Sequence, residues 1–235
     1  MTRGRVRGNG AKRREILAAA TERFGRDGYE DTKWADIAAD VGIGSTALYH
    51  YFNSKQHCLY LIIDQAIEDF RMRLLEATAA HRDDPSAALG AAMEACFDLS
   101  DREVLRNRLL TAEQGLLSTR RSSPREEEAR QAARARGRDL ELAWATLLSD
   151  AMQRGDIPTD DPRMLARAVL GIYNSIWQWY RPHGTVGLHR VAVFFSDRIL
   201  AMIGVDAATA ADADGQPDQA PARAAGGTTS SATRK

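Results

Sequence analysis

The sequence predicts an all-α protein on three observations. Apolar residues recur at three- and four-residue spacing along nearly the whole chain, the stripe of an amphipathic helix. Alternating β-branched runs and two-residue hairpin signals are scarce, so paired strands have no candidate segment. Helix stops (Gly28, Gly155, Gly204) and starts (Asp84-Pro85, Ser123-Pro124, Asp161-Pro162) alternate along the chain, as helix boundaries should.

Element by element, a first helix is expected from Lys12 to Arg26, stopped at Gly28. A second opens with Thr32 as N-cap, carries Trp34, Ile37, Ala38 and Val41, and runs into the turn Gly42-Ile43-Gly44. A very short third helix spans Ser45 to Tyr51; Gly44 at its N-cap is weaker than Ser by a few tenths of a kcal/mol, and Ser45 can take over part of the capping. Ser54 caps a long fourth helix to His81, with Leu59, Ile62, Ile63, Ala66, Phe70 and Leu74 on its apolar face. The fifth runs from Pro85 to Leu99. Ser100-Asp101-Arg102-Glu103 is a capping box for a sixth, to Leu117, and Ser123-Pro124-Arg125-Glu126 another for a seventh, to Arg154. The eighth runs from Pro162 to Arg181, the ninth from Val186 to Ile203. From residue 205 on, the chain lacks bulky apolar residues beyond Val205 itself, so 205–235 is expected to be a disordered tail.

Two helices joined by a tight glycine-containing turn, the second opening on small polar residues, form a helix-turn-helix. Ser45, Thr46 and Ala47 allow close approach of backbone to a DNA duplex, and Tyr49, His50 and Tyr51 are placed to reach phosphates and base edges. Leu48 and Phe52, four apart on one face, read as core. Thr32 and Lys33 at the second helix, and Lys55 at the start of the fourth, suit phosphate contact. Charge distribution agrees. The 235 residues have zero formal net charge, but residues 1–14 hold six Lys or Arg and no acid, and residues 1–57 hold ten basic against seven acidic residues. Residues 1–11 are thus expected to be a basic disordered arm able to meet phosphates.

The segment from Ile16-Leu17-Ala18-Ala19-Ala20 and Phe24, through Gly28-Tyr29, Thr32, Asp36-Ile37-Ala38, Val41-Gly42-Ile43 and Leu48-Tyr49-His50-Tyr51-Phe52, to Ser54-Lys55 and Leu59 resembles the DNA-binding domain of the TetR family of bacterial one-component regulators. One departure is Gly44, where that family usually has Ser or Thr. The resemblance implies a three-helix DNA-binding head (12–53) on a six-helix effector-binding and dimerisation domain (54–204), with the last two helices forming the seam of a homodimer. It implies a transcriptional regulator, a repressor that binds a palindromic double-stranded DNA operator and is released by a small, largely apolar effector. An activator, or a regulator controlled by a protein partner without a small-molecule ligand, is the alternative.

A second constellation is aromatic: Trp144, and the run Asn174-Ser175-Ile176-Trp177-Gln178-Trp179-Tyr180-Arg181-Pro182. Asn174, Trp177, Gln178 and Arg181 fall on one helical stripe, with an apolar wall and hydrogen-bonding ends, as a ligand pocket has. With Trp144 they are the candidate effector contacts; the competing reading places them in the core or dimer interface. The Trp-Tyr-Arg-Pro ending resembles TetR-family regulators of lipid and acyl-CoA catabolism, which puts an acyl-CoA or lipid-like metabolite within the effector class. The charged run Arg120 to Arg138 reads as a solvated face with Glu126–Arg130 pairing, or as a surface for an acidic effector such as a CoA phosphate.

Other chemistry lacks a signature. His50, His57, His81, His183 and His189 have no metal-ligand spacing, so no metal and no cofactor is expected. Without G-x-S-x-G or another nucleophile motif, no catalytic residue is assigned and the chain is not read as an enzyme. Cys58 and Cys96 sit in helical apolar patterns as reduced buried thiols, which with the lack of a membrane span or signal h-region points to the cytoplasm.

Overall fold

A computed structural model describes residues 3–205, with side chains from Gly10 onward. The side chains of the arm (Arg3, Arg5 and Arg7) and the tail 206–235, expected to be disordered, lie outside the described residues. Eight α-helices and two 3₁₀ segments make up the described elements: α1 Arg3–Asp27, α2 Trp34–Asp40, a 3₁₀ segment Ser45–His50, α3 Lys55–Ala79, α4 Pro85–Phe97, α5 Asp101–Ala112, a 3₁₀ segment Gln114–Ser118, α6 Pro124–Arg154, α7 Pro162–Trp179 and α8 Leu188–Ile203.

The first helix starts at Arg3, where the periodicity predicts Lys12, so its backbone runs through the segment read as an arm. It ends where Gly28, at φ +93, donates its N–H to the Phe24 carbonyl; a side chain there would be strained. Ile16, Ala20 and Phe24 face inward at four-residue spacing and meet Ile37, Ala38, Val41, Leu48 and Phe52. α2 begins after Lys33, without a side-chain cap. Thr32 is not its cap: the Thr32 hydroxyl donates back to the Gly28 carbonyl at 2.6 Å. The turn to the next element needs Gly42, at φ +67. The third helix of the sequence pattern is 3₁₀, with no side-chain cap from Gly44 or Ser45. Its i→i+3 bonds, Ala47 N–H to the Gly44 carbonyl among them, suit so short a piece.

Several caps form as the sequence predicts. Ser54 accepts from His57 N–H, Asp84 from Ala87 N–H, and Asp161 from the N–H groups of Arg163 and Met164. Ser100 and Glu103 form the reciprocal box. The second predicted box does not form. Ser123 makes no cap bond, and Glu126 accepts instead from the Ser54 hydroxyl at 2.5 Å. At the far end, Val205 is buried rather than part of a tail, its N–H bonded to the Leu200 carbonyl. The turn before it is tight: a Cβ on Gly204, at φ +88, would lie 2.3 Å from Pro158 Cδ.

The core runs unbroken from the head into the larger domain through α3, which buries Cys58, Leu59, Ile62, Ile63, Ile67, Phe70 and Leu74. α1 also rests directly on α5; a Cβ on Gly25 would sit 2.8 Å from Leu105 Cβ. Burial pushes the Cys58 and Cys96 thiols up from their ordinary range, so both stay protonated.

Candidate nucleic-acid interface and ligand cavity

The 3₁₀ segment presents one polar surface. Leu48 and Phe52 are buried beneath it, while Ser45, Thr46, Tyr49 and His50 are exposed, Tyr49 by 59%. Ala47 and Tyr51 are half-buried, Tyr51 packing on the core. Lys33 is exposed on the same head. Among the described residues none of the exposed four makes a side-chain hydrogen bond inside the chain, so their donors and acceptors are open to a partner.

Two of the predicted phosphate contacts are placed differently. Thr32 is buried with its hydroxyl committed to Gly28. Lys55 Nζ donates to the carbonyls of Tyr29 (2.6 Å), Thr32 (3.0 Å) and Glu30 (3.3 Å), and stands 4.3 Å from the centre of the Tyr29 ring. An ammonium has three protons; here all three hold the 29–32 loop onto α3. Lys12, at the predicted start of the first helix, is similarly engaged, by the Val41 carbonyl at 2.7 Å and Glu15 at 2.9 Å. His57, not singled out by the sequence, accepts the Asn53 N–H on Nδ1 at 3.1 Å. Burial, then the charge of Arg13, holds its imidazole below the usual range, which keeps that acceptor available.

The larger domain contains a cavity of about 460 Å³ between α3, α5, α6 and α7. Ile67, Phe70, Leu110, Leu140 and Leu170 supply apolar wall, and Asn107, Gln114, Tyr173 and Asn174 the polar groups. Tyr173 is fixed: Asn107 Nδ2 donates to its hydroxyl at 3.1 Å, the hydroxyl donates to the Cys96 carbonyl at 3.0 Å, and its ring stacks on Phe70 at 4.9 Å. The exposed Arg134, Arg138 and Arg167 stand around the opening, Arg167 paired with Glu141 at 3.0 Å. Gly137 and Gly171 line the same space, and a Cβ on either would meet nothing within 4 Å. A mid-helix glycine costs about 1 kcal/mol relative to alanine, and here the missing side chains leave volume.

The effector stripe divides. Asn174 lines this cavity. Trp177, Gln178 and Arg181 instead line a separate crevice against the end of α1 and the outer side of α5. Trp177 is 1% exposed and packs edge-on against Tyr173 and Tyr180. Trp144 is fully buried in the core and lines neither space. The reason is rotational: α7 buries Tyr173, Ile176 and Trp177 against its own domain. Trp179, two residues on, is 48% exposed and its ring lies 6.1 Å from that of Phe195 on α8; Met164 on α7 and Phe194 on α8 are exposed as well.

The Arg120–Arg138 run is only in part a solvated face. Arg130 is buried and pairs with Glu127 at 2.6 Å, not with Glu126, and also donates to the Leu117 carbonyl. Hydrogen bonds from Arg130, the Arg121 N–H and Gln131 hold the Glu127 carboxyl far below the usual carboxylate range. Arg121 Nε donates to the Tyr60 hydroxyl, which donates to the Leu116 carbonyl. These bonds tie the start of α6 to α3. Glu126–Ser54 and Arg125–Asn53 continue the tie to the loop that leaves the recognition segment. No local signal in the sequence announces them, because they join positions about seventy apart.

Two family models match: "Bacterial regulatory proteins, tetR family" over residues 16–60, and "Tetracyclin repressor-like, C-terminal domain" over 82–203. The transcriptional regulator RutR of Escherichia coli K12 is 34% identical over 84 residues, 33% of this chain and 39% of RutR, so the match spans about two fifths of that relative. Among solved structures, the TetR-family regulator PfmR from Thermus thermophilus is 30% identical with TM-score 0.65, covering 81% of this chain and 98% of PfmR. AibR, solved with isovaleryl coenzyme A and operator DNA, is 25% identical with TM-score 0.66, covering 80% of this chain and 97% of AibR. No helix of the described residues is long and apolar enough to cross a membrane, and no group of three or more His, Cys, Asp or Glu among them could hold a metal ion. The exposed recognition segment and both domain matches lead to one assignment: the chain belongs to the TetR family and is a DNA-binding transcriptional regulator, not an enzyme.

Proposed function

We propose that the protein is a homodimeric repressor whose operator affinity is lowered by a small, largely apolar effector bound in the cavity between α3, α5, α6 and α7. Ser45, Thr46, Tyr49 and His50 read base edges and phosphates in the major groove, and Lys33 contacts the backbone. Two copies join through the apolar α7–α8 face, which sets their recognition segments in successive major grooves of a palindrome, about 34–36 Å apart. Acyl-CoA or lipid-like metabolites fit the effector class. The cavity offers an apolar wall for an acyl chain and arginines at its opening for an anionic head group, and AibR binds isovaleryl coenzyme A.

One observation carries the reading. α3 is a single helix that begins directly after the recognition segment and forms the cavity wall with Ala66, Ile67 and Phe70. An effector that favours a different position of α3 changes the spacing of the two heads; one that binds both positions equally changes nothing. The test selects operator from genomic fragments and follows its binding by fluorescence anisotropy as acyl-CoAs of increasing chain length are added. Release that depends on chain length supports the proposal. An operator affinity indifferent to every acyl-CoA and to the corresponding fatty acids contradicts it.

A further inference from the structure

The crevice beside Trp177 has a composition unlike that of the cavity. It measures about 380 Å³ and lies where three elements meet: the end of α1 with the turn after it, the side of α5 that turns away from the cavity, and the end of α7. Each contributes an arginine: Arg26 from the head, Arg108 from α5, and Arg181 from the turn that leaves α7. Arg26 Nε is held by its neighbour Asp27 at 3.1 Å. The other two have no carboxylate partner within 4 Å among the described residues. Arg181 gives one guanidinium nitrogen to the carbonyls of Gln178 and Tyr180. Arg108 is half-buried, and its Nε is buried without any hydrogen-bond partner. Arg108 and Arg181 line the same crevice, and burial first, then the charge of Arg181, depress the Arg108 pKa. Two carboxylates also line the crevice: Asp27 is shared by Arg23 and Arg26, and Glu113, whose pKa is raised by burial and then by Glu30, makes no ion pair with Arg108 or Arg181 within 4 Å among the described residues.

A buried guanidinium donor without an acceptor is costly, and a tetrahedral oxyanion presents several acceptors to guanidinium groups converging from different elements. We propose that this crevice is a second binding site, which takes a phosphate group between Arg108 and Arg181 and thereby ties the head to the effector domain. The tie acts at the α1–α5 contact, where Gly25 lets the two helices touch. It is separate from the effector cavity, whose α5 contacts are Asn107 and Leu110. The shared chemistry is the phosphate oxyanion, whether free or carried by a small phosphomonoester.

The experiment uses the full chain, with inorganic phosphate and glycerol phosphate as probes, each against chloride at equal ionic strength. Phosphate at about ten times its dissociation constant raises the Tm by roughly 3–6 °C, saturably. Arg108→Gln and Arg181→Gln each lose the shift. Arg181 is exposed, so its variant decides the matter even if the Arg108 variant folds poorly. The probe giving the larger shift at equal concentration identifies the source. Hydrogen exchange at the Phe24–Tyr29 amides slows with phosphate in the wild type. A Tm equal in phosphate and chloride, or a shift that survives in Arg181→Gln, overturns the site; unchanged exchange at Phe24–Tyr29 overturns the tie. Neither readout requires an operator or an effector, so failure here is distinct from failure of the repressor reading.

Discussion

In the head, the side chains proposed to meet DNA lack partners inside the chain: Ser45, Thr46, Tyr49 and His50 stand exposed over a closed core of Leu48 and Phe52. In the larger domain several comparable side chains are engaged. Arg130 is buried on Glu127, Tyr173 is held by Asn107 and Cys96, and the feature left over is empty volume above Gly137 and Gly171. One region leaves polar groups unpaired at its surface; the other leaves unfilled, largely apolar space. Under the proposed function the difference follows from the partners. A duplex is read by groups kept free to meet it, whereas a small ligand is bound by being enclosed.

The largest expected effect separates two tryptophans. Trp177→Ala removes a core side chain and should lower stability by about 3–5 kcal/mol, seen as a shifted urea midpoint. Trp179→Ala should leave the midpoint of the monomer nearly unchanged and weaken dimerisation in sedimentation. Equal destabilisation by both would erase the distinction between core and seam on α7.

Adjacent positions in the head sharpen the same contrast. Leu48→Ala should cost about 2–5 kcal/mol of stability. Tyr49→Ala should leave the melting curve unchanged and weaken operator binding by roughly 5- to 150-fold, the equivalent of 1–3 kcal/mol. A Tyr49→Ala protein that binds operator like the wild type at matched salt would remove Tyr49 from the interface.

A smaller gain is expected at Gly137. Alanine meets no neighbour within 4 Å, so Gly137→Ala should stabilise by about 0.5–1 kcal/mol through helix propensity. A loss of stability on heating would mean that the space is closed in solution.

The smallest effect is a pH dependence. The folded His57 has a depressed pKa, so the unfolded chain binds the more protons as pH falls below about 6.5. The His57 contribution is therefore complete above that pH and lost on acidification through the folded pKa. His57→Gln should flatten the stability profile on the acid side of about pH 6.5, and an unchanged profile would show that His57 titrates normally.

How much was legible in the sequence differs between the regions for the same reason. The head is short-range: caps, Gly28, Gly42 and the pair Leu48 and Phe52 are set within a few residues, so the helix-turn-helix could be read directly, though its second helix is 3₁₀. What the pattern could not show there, the bonds of Thr32 and Lys55 to the 28–32 loop, depended on where that loop returns. In the effector domain, periodicity gave the helices but not the rotation of α6 and α7 against their neighbours, so Trp144, Trp177 and Arg181 were grouped with a cavity that only Asn174 reaches. The cavity itself is marked by glycines, and an absent side chain carries no signal until its surroundings are known.

The central claim is that the space over Gly137 receives the effector and that its occupancy reaches the recognition segment. Operator anisotropy titrated with an acyl-CoA, in the wild type and in Gly137→Leu, tests this most directly. The account predicts equal operator affinity for the two proteins without ligand, and release of the wild type alone. Release of Gly137→Leu at the wild-type midpoint would contradict it.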